Sequence, residues 1–103
     1  MNEFLELEEK IVARIKTVFD PEIPVNIYDL GLIYDIAVEG KEVTIKMTLT
    51  APNCPAADFI VEDLTQKVSA LDELDKVNVQ IVFEPEWQQS MMSEEAQLEL
   101  GLL

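Results

Sequence analysis

The chain has no histidine among its 103 residues, and its only cysteine is Cys54. Zinc sites and iron–sulfur clusters usually take four ligands, mostly cysteine and histidine, so this chain cannot close such a site alone. A nucleophile activated by a histidine base is excluded as well. Any soft-metal chemistry must therefore run through Cys54. One unpaired cysteine also fits a reducing compartment.

Positive charge is scarce too. Seven Lys and Arg residues stand against 21 Asp and Glu residues, which gives a formal net charge of −14. Nucleic acids and anionic membrane surfaces are therefore disfavoured as partners. The charge is compatible with cationic metals or a basic protein patch, and also with a role in solubility alone.

Long apolar runs are missing, and none approaches the length of a bilayer span. The first four residues include the acidic Glu3 and lack the basic and apolar regions of a signal peptide. We therefore expect a cytoplasmic protein with no membrane association. The length indicates a single domain over residues 1–103, in which 84–103 form a C-terminal tail with a short helix.

Apolar residues at helical spacing predict a first helix over residues 4–19, ended by the Asp20–Pro24 segment. A second amphipathic pattern begins at Pro55 and continues to about Leu71. Ser93, followed by two glutamates, is expected to cap a short final helix.

Alternating apolar residues predict strands over residues 32–38, 43–49 and 77–83, with a hairpin turn at Gly40–Lys41. The order α-β-β-α-β-α predicts an α/β (α+β) two-layer sandwich, a three-stranded mixed sheet with the helices mainly on one face. The hairpin is antiparallel, and the crossover helix makes the third strand parallel to the second.

This topology brings three segments to one end of the sheet: residues 20–31, 50–55 and 84–87. If Gly40 and Lys41 form the turn, paired residues have numbers that sum to about 81, so Gly31 is expected opposite Thr50. Binding sites in α/β sheets favour the carboxyl ends of strands.

Cys54 lies between the second strand and the second helix. Pro55 suits the first helical position, which makes Cys54 the predicted N-cap. The helix dipole would then favour a thiolate. The alternative is a small buried hydrophobic residue.

As a ligand, Cys54 leaves three possibilities open. It shares a cluster between subunits of a homodimer, takes carboxylates as weak co-ligands, or grips a cluster transiently during transfer. The candidate co-ligands are Asp20, Glu22 and Asp29. The alternative is a structural role, in which the segment with Asp20 and Glu22 ends the first helix and Asp29 caps a turn.

Other residues are expected to support this loop or a partner. Gly31 fits a special backbone angle, and Thr50 and Asn53 flank the cysteine. Trp87 and Met91 form an apolar cluster that either docks the tail or forms a partner surface.

Three ordered motifs together resemble one family. They are DPEIPVNIYDLGLIY at residues 20–34, TLTAPNCP at 48–55, and Trp87 followed by MMSEEA at 91–96 and Leu100–Gly101. They resemble the SufT/PaaD-like metal–sulfur cluster biosynthesis family, over about residues 11–103. Asn53 stands where glycine is common in that family.

The resemblance implies a domain like the C-terminal domain of NifU and a non-enzymatic role in iron–sulfur cluster assembly. It carries over Cys54 as the cofactor-binding and metal-ligating residue, with Asp20, Glu22 and Asp29 in the signature loop. The implied cofactor is an iron–sulfur cluster, bound transiently. The implied partners are iron–sulfur assembly proteins and client apoproteins.

Four functional hypotheses remain on sequence grounds. The first is an accessory factor that matures iron–sulfur proteins through Cys54. The second is a metal-free adaptor of the assembly machinery, and the third is a PaaD-type component of phenylacetate oxidation. The fourth is a thiol enzyme, which requires a strongly lowered pKa of Cys54.

Overall fold

The computed structural model describes residues 3–21, 23–50 and 56–102. Cys54, Glu22 and Asn53 lie outside the described residues. The elements are α1 (Glu3–Ile15), β1 (Ile33–Glu39), β2 (Glu42–Met47), α2 (Ala57–Ser69), β3 (Lys76–Ile81), a 3-10 turn (Gln89–Met91) and α3 (Glu94–Glu99). The predicted element order is confirmed.

The three strands form one mixed sheet in the order β1-β2-β3. β1 and β2 are antiparallel around the Gly40–Lys41 turn, where Glu39 pairs with Glu42. β3 runs parallel to β2. The predicted fold class is confirmed, since the strand directions follow from a tight turn on one side and a helical crossover on the other.

The core lies between the sheet and the two long helices. The β2 side chains alternate, so that its apolar residues face the helices and its polar ones face away. In each helix the buried residues are four apart, which forms one apolar stripe. The fully buried residues of these three elements are Ile11, Ile15, Val43, Ile45, Met47, Ile60, Leu64 and Val68.

A β-bulge interrupts β1 at Tyr34. Asp35 pairs with Lys46 and Ile33 pairs with Met47, so Tyr34 is an extra residue on β1 without its own pairing residue on β2. A regular strand would place Tyr34 on the core face. The bulge instead directs Tyr34 toward the uncovered face with Asp35, because two bulge residues share one partner.

The bulge also makes the predicted pairing of Gly31 with Thr50 wrong. From Glu39 to Asp35 the paired numbers sum to 81 as expected, and beyond the bulge they sum to 80. The backbone N–H of Thr48 donates to Leu32 O at 2.8 Å, which continues the shifted register.

The first helix is shorter than predicted. It ends at Ile15, and its last turn tightens because Thr17 N donates to Arg14 O and Val18 N to Ile15 O, both at 3.0 Å. β-branched residues fit helices poorly, which favours this early end. Phe19 therefore leaves the helix and lies half-exposed, in a bridge with Asn26.

The second helix begins later than predicted. Its N-cap is Ala56, and Ile60 N donates to Ala56 O at 2.9 Å. The prediction of Cys54 as N-cap is therefore wrong by two residues. The apolar stripe starts only at Ile60, and small alanines before it carry no signal for the helix start. Cys54 lies outside the described residues, so dipole stabilisation of its thiolate stays a prediction.

The final helix forms as predicted. Ser93 is its N-cap, and the Ser93 hydroxyl oxygen accepts a hydrogen bond from Ala96 N at 3.1 Å. Glu94 and Glu95 occupy the first turn, where negative charge is favourable. Within the described ranges, no helix combines the length and the apolar character needed to span a bilayer.

We predict a pH-dependent contribution from the ion pair between Lys10 of α1 and Glu73 after α2. The hydrogen bond from Lys10 lowers the pKa of Glu73 below its ordinary 4.5, and the same bond raises the pKa of Lys10 above 10.5. Wild type should therefore be slightly more stable than Glu73→Gln near neutral pH. The advantage should fade as acid protonates Glu73, or as alkali deprotonates Lys10.

The measurement is urea unfolding of both proteins at neutral and at acid pH. Asp72→Asn, a neighbouring exposed carboxylate, is the matched control. An advantage over Glu73→Gln that persists undiminished below the ordinary carboxylate pKa would contradict this assignment.

Candidate functional site

The C-terminal segment, residues 84–96, closes over the loop that precedes β1. The Trp87 indole N–H donates to Leu30 O at 2.7 Å. The Tyr34 hydroxyl donates to Pro85 O at 2.6 Å, and Ser93 N donates to Asp29 O at 2.7 Å. Two of the three segments predicted to converge are thus joined by hydrogen bonds.

Gly31 lies at the closest approach of these two segments. Its φ is 80°, a left-handed angle that favours glycine. A Cβ atom at this position would lie 2.3 Å from Met91 O, which is a collision with backbone. The special angle predicted for Gly31 is therefore present, and its purpose is to let the C-terminal segment pack against the loop.

The end of β2 lies beside the same segment. A cavity of about 240 Å³ is lined by Thr48, Leu49, Thr50, Phe83, Glu86 and Trp87. Val82 N donates to Met47 O at 2.8 Å, which extends the β2–β3 pairing toward this cavity. Thr50 is the last described residue before the segment 51–55. The described parts of all three predicted segments therefore meet at one end of the sheet.

The two described carboxylates of the 20–31 loop, Asp20 and Asp29, have structural partners. Asn26 Nδ2 donates to Asp29 Oδ2 at 2.8 Å, and Asp29 N donates back to Asn26 Oδ1 at 2.9 Å. A capped turn is therefore present, but its cap is Asn26, and Asp29 supports the cap instead of supplying it. Asp20 is buried, at 5% exposure, and it also makes an interaction of its own.

Among the residues that the structure describes, no three cysteine or carboxylate side chains gather into a metal site. A ligand set that combines Cys54 or Glu22 with Asp20 and Asp29 stays a prediction, because the first two lie outside the described residues.

Trp87 and Met91 have a docking role within the chain. Trp87 is half-buried against the core, and Met91 Sδ lies 3.7 Å from the Tyr34 hydroxyl oxygen. Their predicted role as a partner surface stays a prediction. Sequence reasoning missed Phe83, which was placed in the third strand. The strand ends at Ile81, and Phe83 remains 47% exposed beside Thr50.

We predict that Gly31→Ala lowers the free energy of unfolding by about 3 kcal/mol or more, from backbone strain and the collision with Met91 O. Gly40→Ala is the matched control. It has a similar φ of 60° but nothing within 4 Å of the added Cβ, so about 1 kcal/mol is expected. Equal losses in urea unfolding would contradict the steric argument.

We also predict that Trp87→Phe costs about 1–3 kcal/mol, because it leaves the buried Leu30 carbonyl without the indole donor. Tyr34→Phe tests the neighbouring bond to Pro85 O, which joins a more exposed pair and should cost less. Amide hydrogen exchange of Ser93 N, which donates across the same junction, reports local opening. An unchanged exchange rate of Ser93 N and an unchanged free energy of unfolding in Trp87→Phe would contradict the role of the Trp87–Leu30 hydrogen bond in holding the C-terminal segment.

Comparisons with known proteins agree with this geometry. The family described as "Iron-sulfur cluster assembly protein" matches residues 8–81. A "Fe-S protein maturation auxiliary factor" of Porphyromonas gingivalis is 61% identical over 104 residues, which cover 99% of this chain and 98% of that protein. The "Fe-S protein maturation auxiliary factor YitW" of Bacillus subtilis is 38% identical, covering 93% of this chain and 95% of that protein.

A solved structure shares the fold as well. It is a domain of unknown function from Bacillus anthracis, with a TM-score of 0.88 and 37% identity. The match covers 95% of this chain and 94% of that one. The predicted resemblance is thereby confirmed, and the chain belongs to the iron–sulfur cluster assembly protein family.

Proposed function

We propose that this protein is an accessory factor in the maturation of iron–sulfur proteins, with no catalytic turnover of its own. The observation that carries the proposal is the near full-length similarity to a maturation auxiliary factor at 61% identity. The partners would be iron–sulfur assembly proteins and client apoproteins. An unpaired thiol in use must stay reduced, so we place the protein in the cytoplasm.

Cys54 is the proposed contact to the cargo, which is a cluster, an iron ion or a cysteine of the client. The cluster is treated as cargo because one thiol without histidine cannot supply the usual four ligands. An incomplete ligand set is a defect for storage, but it favours release during transfer. On each side of the segment 51–55 the chain is anchored by a buried side chain, which is Leu49 before the segment and Ile60 after it.

The surroundings support contact with a client protein. Thr50, which precedes the segment that carries Cys54, lines a cavity with Phe83 and Trp87. Phe83 is half-exposed, and exposed aromatic side chains are enriched where proteins bind each other. Cargo near this end of the sheet would therefore lie next to an aromatic contact for the receiving protein.

The test is Cys54→Ser in a bacterial host that lacks its own factor of this family. We expect the free energy of unfolding of the variant to stay within about 0.5 kcal/mol of wild type, because serine and cysteine side chains are similar in size and shape. The activity of a cluster-dependent host enzyme should fall to the level of the strain without the factor. Normal activity with Cys54→Ser would contradict the role of the cysteine.

The second candidate is a metal-free adaptor. It is favoured by the bond from Asn26 Nδ2 to Asp29 Oδ2, which gives one of the candidate carboxylate ligands a structural role. It requires Cys54→Ser to keep both partner binding and function. Anaerobic cluster reconstitution, followed by absorbance and native mass, separates the candidates. A cluster that forms only with Cys54, on a dimer, supports transfer between subunits.

A PaaD-type role is a narrower version of the first proposal, in which the client proteins belong to phenylacetate oxidation. It predicts that the gene restores growth on phenylacetate to a host that lacks its PaaD-type protein. Restoration of general cluster enzymes without growth on phenylacetate would favour the SufT type.

A further inference from the structure

A concave surface lies between the loop after α1 and helix α3. We call it the Phe19–Leu98 groove; its volume is about 580 Å³. The described residues that line it are Phe19, Pro24, Val25, Asn26, Asp29, Glu95, Ala96, Leu98 and Glu99. None of them lines the cavity beside Thr50.

The groove has apolar walls that the chain itself leaves uncovered. Phe19 is 50% exposed and Leu98 is 59% exposed. Between them, Val25 and Ala96 are buried and join the groove floor to the core. When a partner covers half-exposed, large apolar side chains, apolar surface is removed from water and the complex is stabilised.

The groove is also preformed. Its two sides are tied together by the hydrogen bond from Ser93 N to Asp29 O at 2.7 Å. Within the loop side, Ile27 N donates to Val18 O at 2.9 Å, which holds the loop against the turn that follows α1. A surface fixed in this way loses little conformational entropy on binding.

The rim of the groove is acidic. Asp29, Glu95 and Glu99 line it, and none of its described lining residues is cationic. Glu95 and Glu99 are four residues apart on α3, where like charges repel each other. Lys16, which lies on the loop side, is held over the Tyr28 ring at 5.2 Å. A cationic ligand would relieve the repulsion along α3.

We propose that the Phe19–Leu98 groove docks a basic amphipathic segment of a partner protein. The apolar side chains of the segment would pack between Phe19 and Leu98, while its Lys or Arg side chains would pair with Glu95 and Glu99. A second copy of this chain is disfavoured, because each copy carries a net charge of −14. The proposal does not depend on Cys54 or on metal transfer.

The experiment uses a fluorescein-labelled peptide of leucine and lysine in helical amphipathic order, with a leucine–glutamate peptide as the charge control. Binding to the full chain is followed by anisotropy at low and high salt, and mapped by amide chemical shifts. We expect saturable, salt-sensitive binding of the basic peptide, with shifts confined to residues 19–29 and 93–99. The double variant Glu95→Gln and Glu99→Gln should weaken binding by roughly fivefold or more.

Matched controls come from α2. Asp58→Asn with Glu62→Gln removes the same charge from two exposed residues at the same spacing, and should change binding by less than about twofold. Phe59→Ser is the control for Leu98→Ser, since both side chains are 59% exposed. Leu98→Ser should weaken binding, and Phe59→Ser should not.

Four outcomes would overturn the proposal. They are the absence of saturable binding, equal binding of the acidic peptide, equal losses in the α2 controls, and a dimer of the chain itself that buries the groove. Loss of cluster maturation in Cys54→Ser with intact peptide binding would leave it standing, so its failure is distinguishable from failure of the proposed function.

Discussion

The structure depends on the close contact between the C-terminal segment and the loop before β1. Trp87, Leu30 and Gly31 make this contact, through an indole hydrogen bond at 2.7 Å and a glycine without a Cβ. The contact fixes the loop on which Asp29 lies, one wall of the cavity beside Thr50, and the position of α3. Both candidate binding surfaces are therefore held in place by this one contact, although they share no lining residue.

The two proposals assign different contacts to different surfaces. The end of the sheet near Thr50 is the proposed place for cargo, because the only thiol follows it in sequence. The groove beside α3 is the proposed place for a partner protein, because its described lining combines apolar walls with three acidic residues. A maturation factor must bind both its cargo and its client, and a chain of 103 residues has room for two separate binding surfaces.

Much of this fold could be predicted from periodicity. The strands were placed within two residues, because β2 alternates cleanly and a glycine turn fixes the hairpin. The bulge at Tyr34 could not be predicted, since Tyr34 continues the apolar alternation and only the partner strand reveals the extra residue. The start of α2 was misplaced because Pro55 gave a plausible first helical position while Ala56 gave no signal. At the site, Gly31 and Trp87 were singled out by residue type, but their contact over long sequence separation required the tertiary structure.

The bulge has one more consequence. A sheet of three strands exposes two edges, β1 and β3, whose backbone groups can pair with another chain. At β1 the extra residue twists the strand and breaks the regular ladder, while the Tyr34 hydroxyl is held by Pro85 O. Uncontrolled addition of strands is thereby discouraged on that side. By this general argument, the bulge that carries Tyr34 also makes the β1 edge a poorer template for edge-to-edge pairing.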